Sequence, residues 1–385
     1  MDLSFSEDQL MIKEVASKFA LSELAPIAAK LDEEGDQAAF LSNLKQLAEL
    51  GFMGLNIDEK YGGSEAGTVA FSVAITEIAR ACAATAVTTS VTNMVAEVIQ
   101  SVASEAQKQC YLPKLCSGEY AAGAFCLTES TAGSDPANMK TTAKLENEHW
   151  VLNGAKQFIT SAEYAGVMVV WAVTDSSVSK GKGISCFLVE QGSVGMSISK
   201  AEQKMGQKAA VTNEVVFVNC RIPKDALMGE LNAGYKIAVT ELAGGRIGIG
   251  SLALGVGLAA MDYARNYMME REQFGQPIAR FQGLQWMMSD AYTALEAARL
   301  LLMSAADLKE KKLPFAKAAS MAKLFSSEKA NEACYSALQL LGGYGYIKEY
   351  PLERYARDVR ITSIYEGTSE IQRVIISKAL LSEAR

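Results

Sequence analysis

Hydrophobic residues recur at helical spacing near both ends of the chain. Close to the N-terminus they fall at Leu10 and Met11 and then, in steps of four residues, at Val15 and Phe19. This spacing places them on one face of an α-helix, and the same pattern continues to about residue 116. It returns at Gly234 and holds to the C-terminus. Two helical regions are therefore predicted.

The middle of the chain has a different pattern. Between residues 121 and 220, β-branched and aromatic residues form short apolar runs such as "VMVVWAVTD", "ISCFLVE" and "NEVVFVNCRI". Such runs are typical of strands, and the Asn-Gly pair at Asn153 predicts a turn. We therefore expect an α+β protein with a helical N-terminal domain (1–120), a middle β domain (121–231) and a helical C-terminal domain (232–385).

One short motif suggests a different fold. The stretch "GIGSLA", Gly248 to Ala253, matches the dinucleotide fingerprint G-x-G-x-x-A. That fingerprint requires a hydrophobic strand before it, whereas here "TELAGGRI" precedes it and a Gly/Ala-rich helical pattern follows. We interpret the small residues as a site of close helix packing.

Composition argues against several classes of function. The net charge is −7 and no long basic block occurs, so neither nucleic acid nor an anionic membrane is an expected partner. The longest run of small apolar residues, Gly248 to Met261, is too short to cross a bilayer, and the acidic N-terminus lacks a signal or transit pattern. We expect a soluble protein without a membrane span, cytoplasmic in a bacterium or in the mitochondrial matrix as a mature eukaryotic chain.

The scarcity of histidine restricts the possible chemistry. His149 is the single histidine, which argues against histidine-based triads, haem ligation and His-rich metal sites. The seven cysteines are odd in number and lack C-x-x-C spacing, so neither a disulfide framework nor a zinc site is predicted. We expect no metal, and a general base must be a carboxylate, Lys, Tyr or Cys.

The stretch "SIYEGTSEIQR" carries two carboxylates near the C-terminus. Ser369, followed three residues later by Gln372, predicts a capping box that starts a helix. Glu370 would then occupy the first helical position, where the helix dipole stabilises its ionised form and weakens it as a base. Glu366 lies in the preceding loop, where apolar surroundings would raise its pKa. Glu366 is the better candidate base.

Two further segments suggest ligand contacts. In "FCLTESTAGSDPA", Thr128, Ser134 and the amides around Gly133 could bind polar atoms, while Phe125 and Leu127 could pack on a ring. An ordinary Ser/Thr/Gly loop is the alternative.

In "REQFG", Arg271 suits a pyrophosphate and Phe274 could cover an aromatic base. The alternative is a surface ion pair of Arg271 with Glu270 or Glu272, together with a core Phe.

Taken together, the motifs resemble those of the acyl-CoA dehydrogenases. "CLTESTAGSDPA", "NGAKQFIT", "REQFGQP", "QLLGGYGYIKEYPLERYARD" and "IYEGTSEIQR" occur in that family's order and spacing through essentially the whole chain. Within the family the sequence is most similar to the short-chain and isobutyryl-CoA members. The resemblance implies a middle β-barrel or sandwich and a C-terminal four-helix bundle. It also implies a role in fatty acid β-oxidation or branched-chain amino acid catabolism.

The resemblance assigns roles to the candidate residues. Glu366 would remove the α-proton of a short or branched acyl-CoA while the β-hydride passes to FAD, giving the trans-2-enoyl-CoA. The backbone amide of Glu366 would polarise the thioester carbonyl. Some relatives carry the base at the position of Gly245, which has no side chain and cannot serve here. Electrons would pass to an electron-transfer flavoprotein.

The resemblance also implies two sets of binding residues and a homo-oligomer, at least a dimer and in the family a dimer of dimers. Those that contact FAD within one chain would be Phe125, Leu127, Thr128, Gly133, Ser134, Phe158 and Thr160, with Thr368 and Glu370 nearby. Those contributed by a neighbouring subunit would be Arg271, Phe274, Gln282, Gln339 and Gly343. The acyl-CoA contacts would be Ser134, Arg246, Gly367 and Lys378.

Three positions depart from the family pattern, and one of them bears on the substrate. Ala243 stands where many relatives carry Asp, Ser130 and Thr131 replace a usual Pro-Gly, and Phe158 replaces a usual Trp. The first bears on the acyl carrier, so a carrier-protein thioester is an alternative substrate. A flavin oxidase or monooxygenase of the same fold is a second possibility, and a non-catalytic helical scaffold is a third.

Overall fold

The computed structural model describes residues 4–383, and its N-terminal part is helical. The helices are α1 Glu7–Phe19, α2 Ala28–Glu34, α3 Gln37–Glu49, α4 Thr68–Ala81, α5 Ala83–Val102 and α6 Glu105–Cys116. α1 begins at a capping box, because the Ser6 hydroxyl accepts the Gln9 N–H while the Gln9 side chain accepts the Ser6 N–H. α4 and α5 are almost wholly buried and form the inner layer of this region.

The middle of the chain forms one eight-stranded sheet in the order β6-β7-β3-β2-β4-β5-β8, with β1 added alongside β4. The strands are β1 Ala122–Cys126, β2 Thr142–Glu146, β3 His149–Thr160, β4 Ala165–Val173, β5 Ile184–Glu190, β6 Met196–Ile198, β7 Thr212–Pro223 and β8 Leu227–Met228. Neighbouring residues of β4 alternate between two cores: Val169 and Trp171 face the N-terminal helices, whereas Met168 and Val170 pack within the sheet domain.

The turn predicted at Asn153 is wrong. β3 continues through this position, and its register against β7 shifts between Leu152 and Gly154. Gly154 has φ +144°, and a Cβ placed on it would lie 2.5 Å from the Thr141 hydroxyl oxygen. Pairing with β2 and β7 on both sides therefore overrides the local turn preference, and the Asn-Gly pair forms a bulge instead.

The last region is helical again. It comprises α7 Gly234–Glu270, a hairpin of β9 Glu272–Gln273 and β10 Gln276–Pro277, α8 Gln282–Glu310, α9 Ala316–Leu341, α10 Leu352–Arg360 and α11 Ser369–Glu383. Helical flanks around a sheet-rich middle confirm the predicted α+β class. The exact boundaries at residues 120 and 231 stay predictions, since the structure shows only that α6 ends at Cys116 and β1 begins at Ala122.

The long central helix α7 is buried through its small residues. A Cβ on Gly248 would lie 2.2 Å from the Ser90 hydroxyl, and one on Gly255 would lie 2.2 Å from the Thr76 carbonyl. The "GIGSLA" stretch is therefore a packing surface within a helix. α7 is long and apolar enough to cross a membrane by length and composition, but 78% of its most apolar window is buried inside the protein, as in a core helix.

Polar contacts fasten the three regions to one another. The Glu310 carboxylate at the end of α8 accepts the Val69 N–H at 2.6 Å and so caps α4. Arg357 of α10 donates to both oxygens of Asp32, at 3.1 and 2.7 Å. Arg357 also donates to the carbonyl of Met205, between β6 and β7, at 3.0 Å, so the same side chain joins the sheet region to the two helical regions.

Candidate functional site

Two adjoining cavities lie between the sheet, α5, α7 and the α10–α11 loop. Their volumes are about 390 Å³ and 380 Å³. Val87, Phe158, Thr160 and Tyr365 line both cavities, so the two form one continuous cleft. All three regions of the chain contribute to its walls.

The first cavity gathers most of the residues predicted for the site. Its lining includes the seven predicted flavin contacts of one chain, the candidate base and the predicted substrate contacts: Phe125, Leu127, Thr128, Gly133, Ser134, Phe158, Thr160, Glu366, Arg246, Gly367 and Lys378. These residues lie up to 253 positions apart in sequence, from Phe125 to Lys378. The fold therefore places in one cavity residues whose proximity the spacing of the motifs does not establish.

Glu366 lies in a strained turn between α10 and α11. Its φ is +52° and that of Gly367 is +94°, so two consecutive residues adopt a left-handed conformation that disfavours a glutamate. The Gln372 side-chain amide donates to the carbonyl oxygens of Glu366, at 3.3 Å, and Gly367, at 2.8 Å. Lys323 Nζ donates to the same Gly367 oxygen at 2.8 Å. Side chains of two helices thus maintain the turn.

The Glu366 carboxylate lies in the wall of the first cavity, with one of its two oxygens enclosed by protein. Its Oε2 is inaccessible to solvent and has no hydrogen-bond partner among residues 4–383. Burial raises the pKa of Glu366 to about 7, and the positive charges of Lys323 and Arg246 oppose that rise. An unpaired carboxylate with a pKa near neutrality is suited to act as a general base.

Two buried cations accompany this carboxylate. Lys323 is fully buried, and burial lowers its pKa to about 8. Arg246 is 4% exposed and donates only a long 3.4 Å bond to the Ser320 hydroxyl. Its Nε has no partner within the described part of the chain. The site therefore contains two positive charges and N–H donors that have few protein partners and are available to a bound ligand.

Gly245 of α7 provides the space for the carboxylate. A Cβ placed on Gly245 would lie 2.4 Å from Glu366 Oε2 and 2.6 Å from the sulfur of Met94. Both distances are too short for real contacts, so any larger residue would displace the carboxylate or the thioether. The absence of a side chain at 245 is thus a steric requirement of the Glu366 position.

The wall opposite Glu366 fits the flavin implied by the resemblance. Hydroxyls of Thr128, Ser134 and Thr160 line the first cavity and have no hydrogen-bond partner anywhere in residues 4–383. Phe125 and Leu127 provide apolar surface beside them. An aromatic ring system with polar edge atoms requires such a combination of apolar surface and free donors.

A buried ion pair supports this wall. Lys156 Nζ lies 2.8 Å from the Glu129 carboxylate, and both side chains are buried. Glu129 also accepts the N–H groups of Lys140 and Thr141, and Lys156 donates to the Leu127 carbonyl. The pair therefore fixes the loop after β1 against β3, the two elements that carry the predicted flavin contacts.

The remaining predicted cofactor contacts lie elsewhere. Arg271, Phe274, Gln282, Gln339 and Gly343 are all exposed and line neither cavity. The Arg271 guanidinium lies over the Tyr344 ring at 5.6 Å. Phe274 is 93% exposed at a two-residue hairpin and has φ +52°. The alternative of a core Phe with an Arg271 ion pair is wrong, since Arg271 has no carboxylate within 4.0 Å in the described residues.

The predicted capping box at Ser369 is also wrong. The cap is Thr368, whose hydroxyl accepts the Ile371 N–H at 3.3 Å and whose carbonyl accepts the Gln372 N–H. Ser369 is buried without a hydroxyl partner in the described chain, and the Gln372 side chain faces the Glu366 turn instead. Glu370 is therefore the second helical residue. Its pKa is lowered by hydrogen bonds from its own N–H and from Thr368.

Lys323, Met94 and Gln372 belong to the site but were not predicted from the sequence. Each lies in a regular helical pattern, where a buried functional side chain resembles any other helix residue. The only sequence signal is the lysine itself within the small-residue run "AASMAKLFSS". No group of three or more His, Cys, Asp or Glu side chains suited to a metal ion occurs in the described range, 4–383.

The chain is similar to known proteins along most of its length. The matching family models are described as "Acyl-CoA dehydrogenase, N-terminal domain" over residues 6–119, "middle domain" over 124–220 and "C-terminal domain" over 232–381. The chain is 44% identical over 384 residues to the acryloyl-CoA reductase (NADH) of Anaerotignum propionicum, covering 99% of this chain and 96% of that protein.

Similarity extends to mitochondrial proteins and to solved structures. The short-chain specific acyl-CoA dehydrogenase of Bos taurus is 44% identical over 380 residues, which cover 98% of this chain and 91% of that protein. A chain of the solved structure "Electron transferring flavoprotein of Acidaminococcus fermentans: Towards a mechanism of flavin-based electron bifurcation" superposes with a TM-score of 0.97. It is 42% identical, covering 99% of this chain and 100% of that one.

Replacement of Glu366 by Gln is expected to stabilise the protein in a pH-dependent way. Because its pKa is raised from the usual 4.5 to about 7, ionisation of Glu366 costs stability as pH rises from 4.5, and the full cost is present above 7. Glu366→Gln should therefore show a gain that grows over this window to roughly 3 kcal/mol at most. Thermal unfolding between pH 4.5 and 8 measures it.

Glu370→Gln is the matched control. Because the pKa of Glu370 is lowered, its ionised form stabilises the fold, and its removal should cost stability as pH rises. Equal pH profiles for the two variants would contradict the assignment of Glu366 as the buried, unpaired carboxylate.

Proposed function

Because this chain belongs to the acyl-CoA dehydrogenase family, an oxidoreductase family that uses FAD, we propose that it converts a short-chain or short branched acyl-CoA to the trans-2-enoyl-CoA with Glu366 as base. The observation that carries the proposal is the unpaired Glu366 carboxylate, buried in the cavity that also holds the flavin-facing wall. Fatty acid β-oxidation and branched-chain amino acid breakdown are the processes that such a reaction would serve.

The first chemical role is proton removal. The α-proton of an acyl thioester is weakly acidic, so its base must be unsolvated and its pKa must lie near the working pH. Glu366 meets both conditions, since its pKa is about 7 and its Oε2 has no partner in the described chain. The positive φ of Glu366 and the gap at Gly245 direct this carboxylate into the cavity.

The second role is stabilisation of the enolate. Removal of the proton places negative charge on the thioester oxygen, which requires preorganised donors. The Glu366 N–H has no acceptor among residues 4–383, which leaves it free for that oxygen. The adjacent carbonyls are already held by Gln372 and Lys323, so this donor is fixed before the substrate arrives.

FAD would be held by two chains. Phe125, Thr128, Ser134 and Thr160 of one subunit form the wall that faces Glu366. Arg271, Phe274, Gln282, Gln339 and Gly343 are exposed outside that cavity, which supports their assignment to the FAD of a neighbouring subunit in a dimer or a dimer of dimers. Bound FAD supplies the acceptor for the β-hydride.

Apolar side chains of α5 line the cavity beside the base, and we assign this part of the cavity to a small acyl group. Val87, Val91 and Met94 of α5 line it beside Glu366. The Met94 thioether is close to the base and has rotatable bonds, so it can adapt to a methyl branch. Ala243 leaves open the nature of the acyl carrier, since many relatives have Asp there.

The proposed electron acceptor is an electron-transfer flavoprotein. Support comes from the structural similarity to a chain of a solved structure whose title names an electron transferring flavoprotein, and from Phe158, which is 63% exposed where the two cavities meet. The reverse reaction, reduction of an enoyl-CoA, is a second candidate, because identity to a reductase equals that to a dehydrogenase.

Anaerobic flavin bleaching should identify the substrate class. We expect the purified yellow protein to bleach with butyryl-, isobutyryl- or 2-methylbutyryl-CoA and much less with octanoyl-CoA, because the chain is similar to a short-chain specific acyl-CoA dehydrogenase. Loss of the yellow flavin absorbance is the measurement. Bleaching only by carrier-protein thioesters would reassign the carrier, and stoichiometric hydrogen peroxide in air would favour an oxidase. Failure of all acyl thioesters would refute the proposal.

Glu366→Gln should abolish proton removal but retain the cofactor. We expect the rate of flavin reduction to fall by about 10²- to 10⁴-fold, because the amide has the shape of the carboxylate but cannot accept the proton. Stopped-flow absorbance gives the rate, and the unchanged yellow spectrum confirms bound FAD. Glu332→Gln, an exposed change on α9, is the control. Near-normal reduction by Glu366→Gln would remove Glu366 from the mechanism.

Gly245→Ala tests the steric requirement. The added methyl group should displace the Glu366 carboxylate and reduce kcat/KM by about 10²-fold, the expected cost of misplacing a base by roughly 1 Å. Glu332→Gln, the exposed change on α9, is again the control. Steady-state kinetics with the best thioester measure the effect. Equal rates for the two variants would show that the carboxylate does not need this space.

A further inference from the structure

Lys323 is an unusual residue for the interior of a helical bundle. It lies on α9, its side chain is fully buried, and no carboxylate in the described chain lies within 4.0 Å of its ammonium. Its Nζ instead donates to the Gly367 carbonyl at 2.8 Å. A buried ammonium without an ion pair destabilises the fold unless another interaction favours it, and Met or Leu would fill the same space at lower cost.

The charged groups around Lys323 come from three directions. The α10–α11 loop presents the Glu366 carboxylate, α7 presents Arg246, and α11 presents Glu370 at the solvent edge. Of these, Glu366 is the strongest attraction for Lys323 and Arg246 repels it. The remaining neighbour on α11, Gln372, is neutral and shares the Gly367 carbonyl with Lys323.

Resting on the function proposed above, we infer that Lys323 is a positioning residue for the base. Its ammonium fixes the left-handed Glu366–Gly367 turn through the Gly367 carbonyl, and its charge favours the ionised form of the adjacent carboxylate. Neither Gln372 nor Arg246 can replace it, because Gln372 carries no charge and Arg246 makes no hydrogen bond to the turn.

The two contributions of Lys323 act on different observables. Loss of the hydrogen bond would loosen the strained turn and lower the rate of proton removal at every pH. Loss of the charge would raise the pKa of Glu366, because Lys323 is the larger of the two influences that lower it. The second effect moves the acid limb of the pH profile, which a merely structural lysine would leave unchanged.

The test compares variants that separate hydrogen bond from charge. Lys323→Met removes both, Lys323→Gln removes the charge but retains an N–H donor, and Gln372→Leu removes a hydrogen bond to Gly367 without a change of charge. Lys329→Met, a change of a partly exposed lysine that pairs with Glu332 on the same helix, is the control. The protonated carboxyl band of Glu366 is titrated by infrared difference spectroscopy in the resting holoenzyme, with Glu366→Gln as the blank.

We expect both Lys323 variants to raise the midpoint of this titration by about one pH unit or more. The acid limb of flavin reduction should move by the same amount. Gln372→Leu should slow reduction without moving the midpoint, and Lys329→Met should change neither. If Lys323→Met does not fold, Lys323→Gln provides the same comparison.

An unchanged Glu366 midpoint in folded Lys323 variants would overturn the inference. The infrared titration requires no substrate, so it remains informative if no acyl thioester reduces the wild-type flavin. Failure of every acyl thioester to reduce the flavin would refute the proposed function. The effect of Lys323 on the Glu366 midpoint would still be measured independently.

Discussion

Burial of the unpaired Glu366 carboxylate is the constraint on which the arrangement of the cleft depends. A carboxylate removed from water is costly unless opposite charge compensates it, and complete compensation by a direct ion pair would lower its basicity. Lys323 and Arg246 compensate the charge in part. Both lower the pKa of the carboxylate, but neither lies within 4.0 Å of it. The pKa of about 7 results from this balance.

The same constraint explains why all three regions of the chain are needed. α5 contributes Val87 and Met94, which give the cavity an apolar lining. The sheet contributes the opposite wall, and its loop residue Gln207 donates to the carbonyl of Asp358 and to the Tyr365 hydroxyl. Tyr365 directly precedes the base, so the sheet domain positions the turn that carries it. No region would form the site alone.

Much of this organisation could be predicted from the sequence. Periodicity separates the helical regions from the strand region, and position in a loop distinguishes Glu366 from Glu370. These inferences succeed because hydrophobic spacing and helix capping are local properties. An error of one residue does not change the conclusion about Glu366. The helix cap is Thr368 and not the predicted Ser369, yet Glu366 still lies in the loop before the helix.

Features that depend on long-range packing could not be predicted from the sequence. The Asn153 pair has a strong turn preference, but strands on both sides convert it to a bulge. Lys323 follows the helical pattern of α9 like a surface lysine, and only the approach of α7 and the α10–α11 loop makes it a neighbour of the base. Phe274 fits a core position and a contact position equally well until its exposure is known.

The absence of a side chain at Gly245 leaves the space in which the candidate base lies. Glycine in a helix interior costs roughly 1 kcal/mol relative to alanine, so its presence in α7 requires a compensating gain. The carboxylate of Glu366 occupies the volume in which a side chain at 245 would begin, with only 2.4 Å between Oε2 and the position of a Cβ. A base carried at 245 and a base carried at 366 would therefore compete for one volume. With Glu366 in this position, residue 245 of α7 cannot carry a side chain. The residues at positions 245 and 366 are therefore sterically coupled.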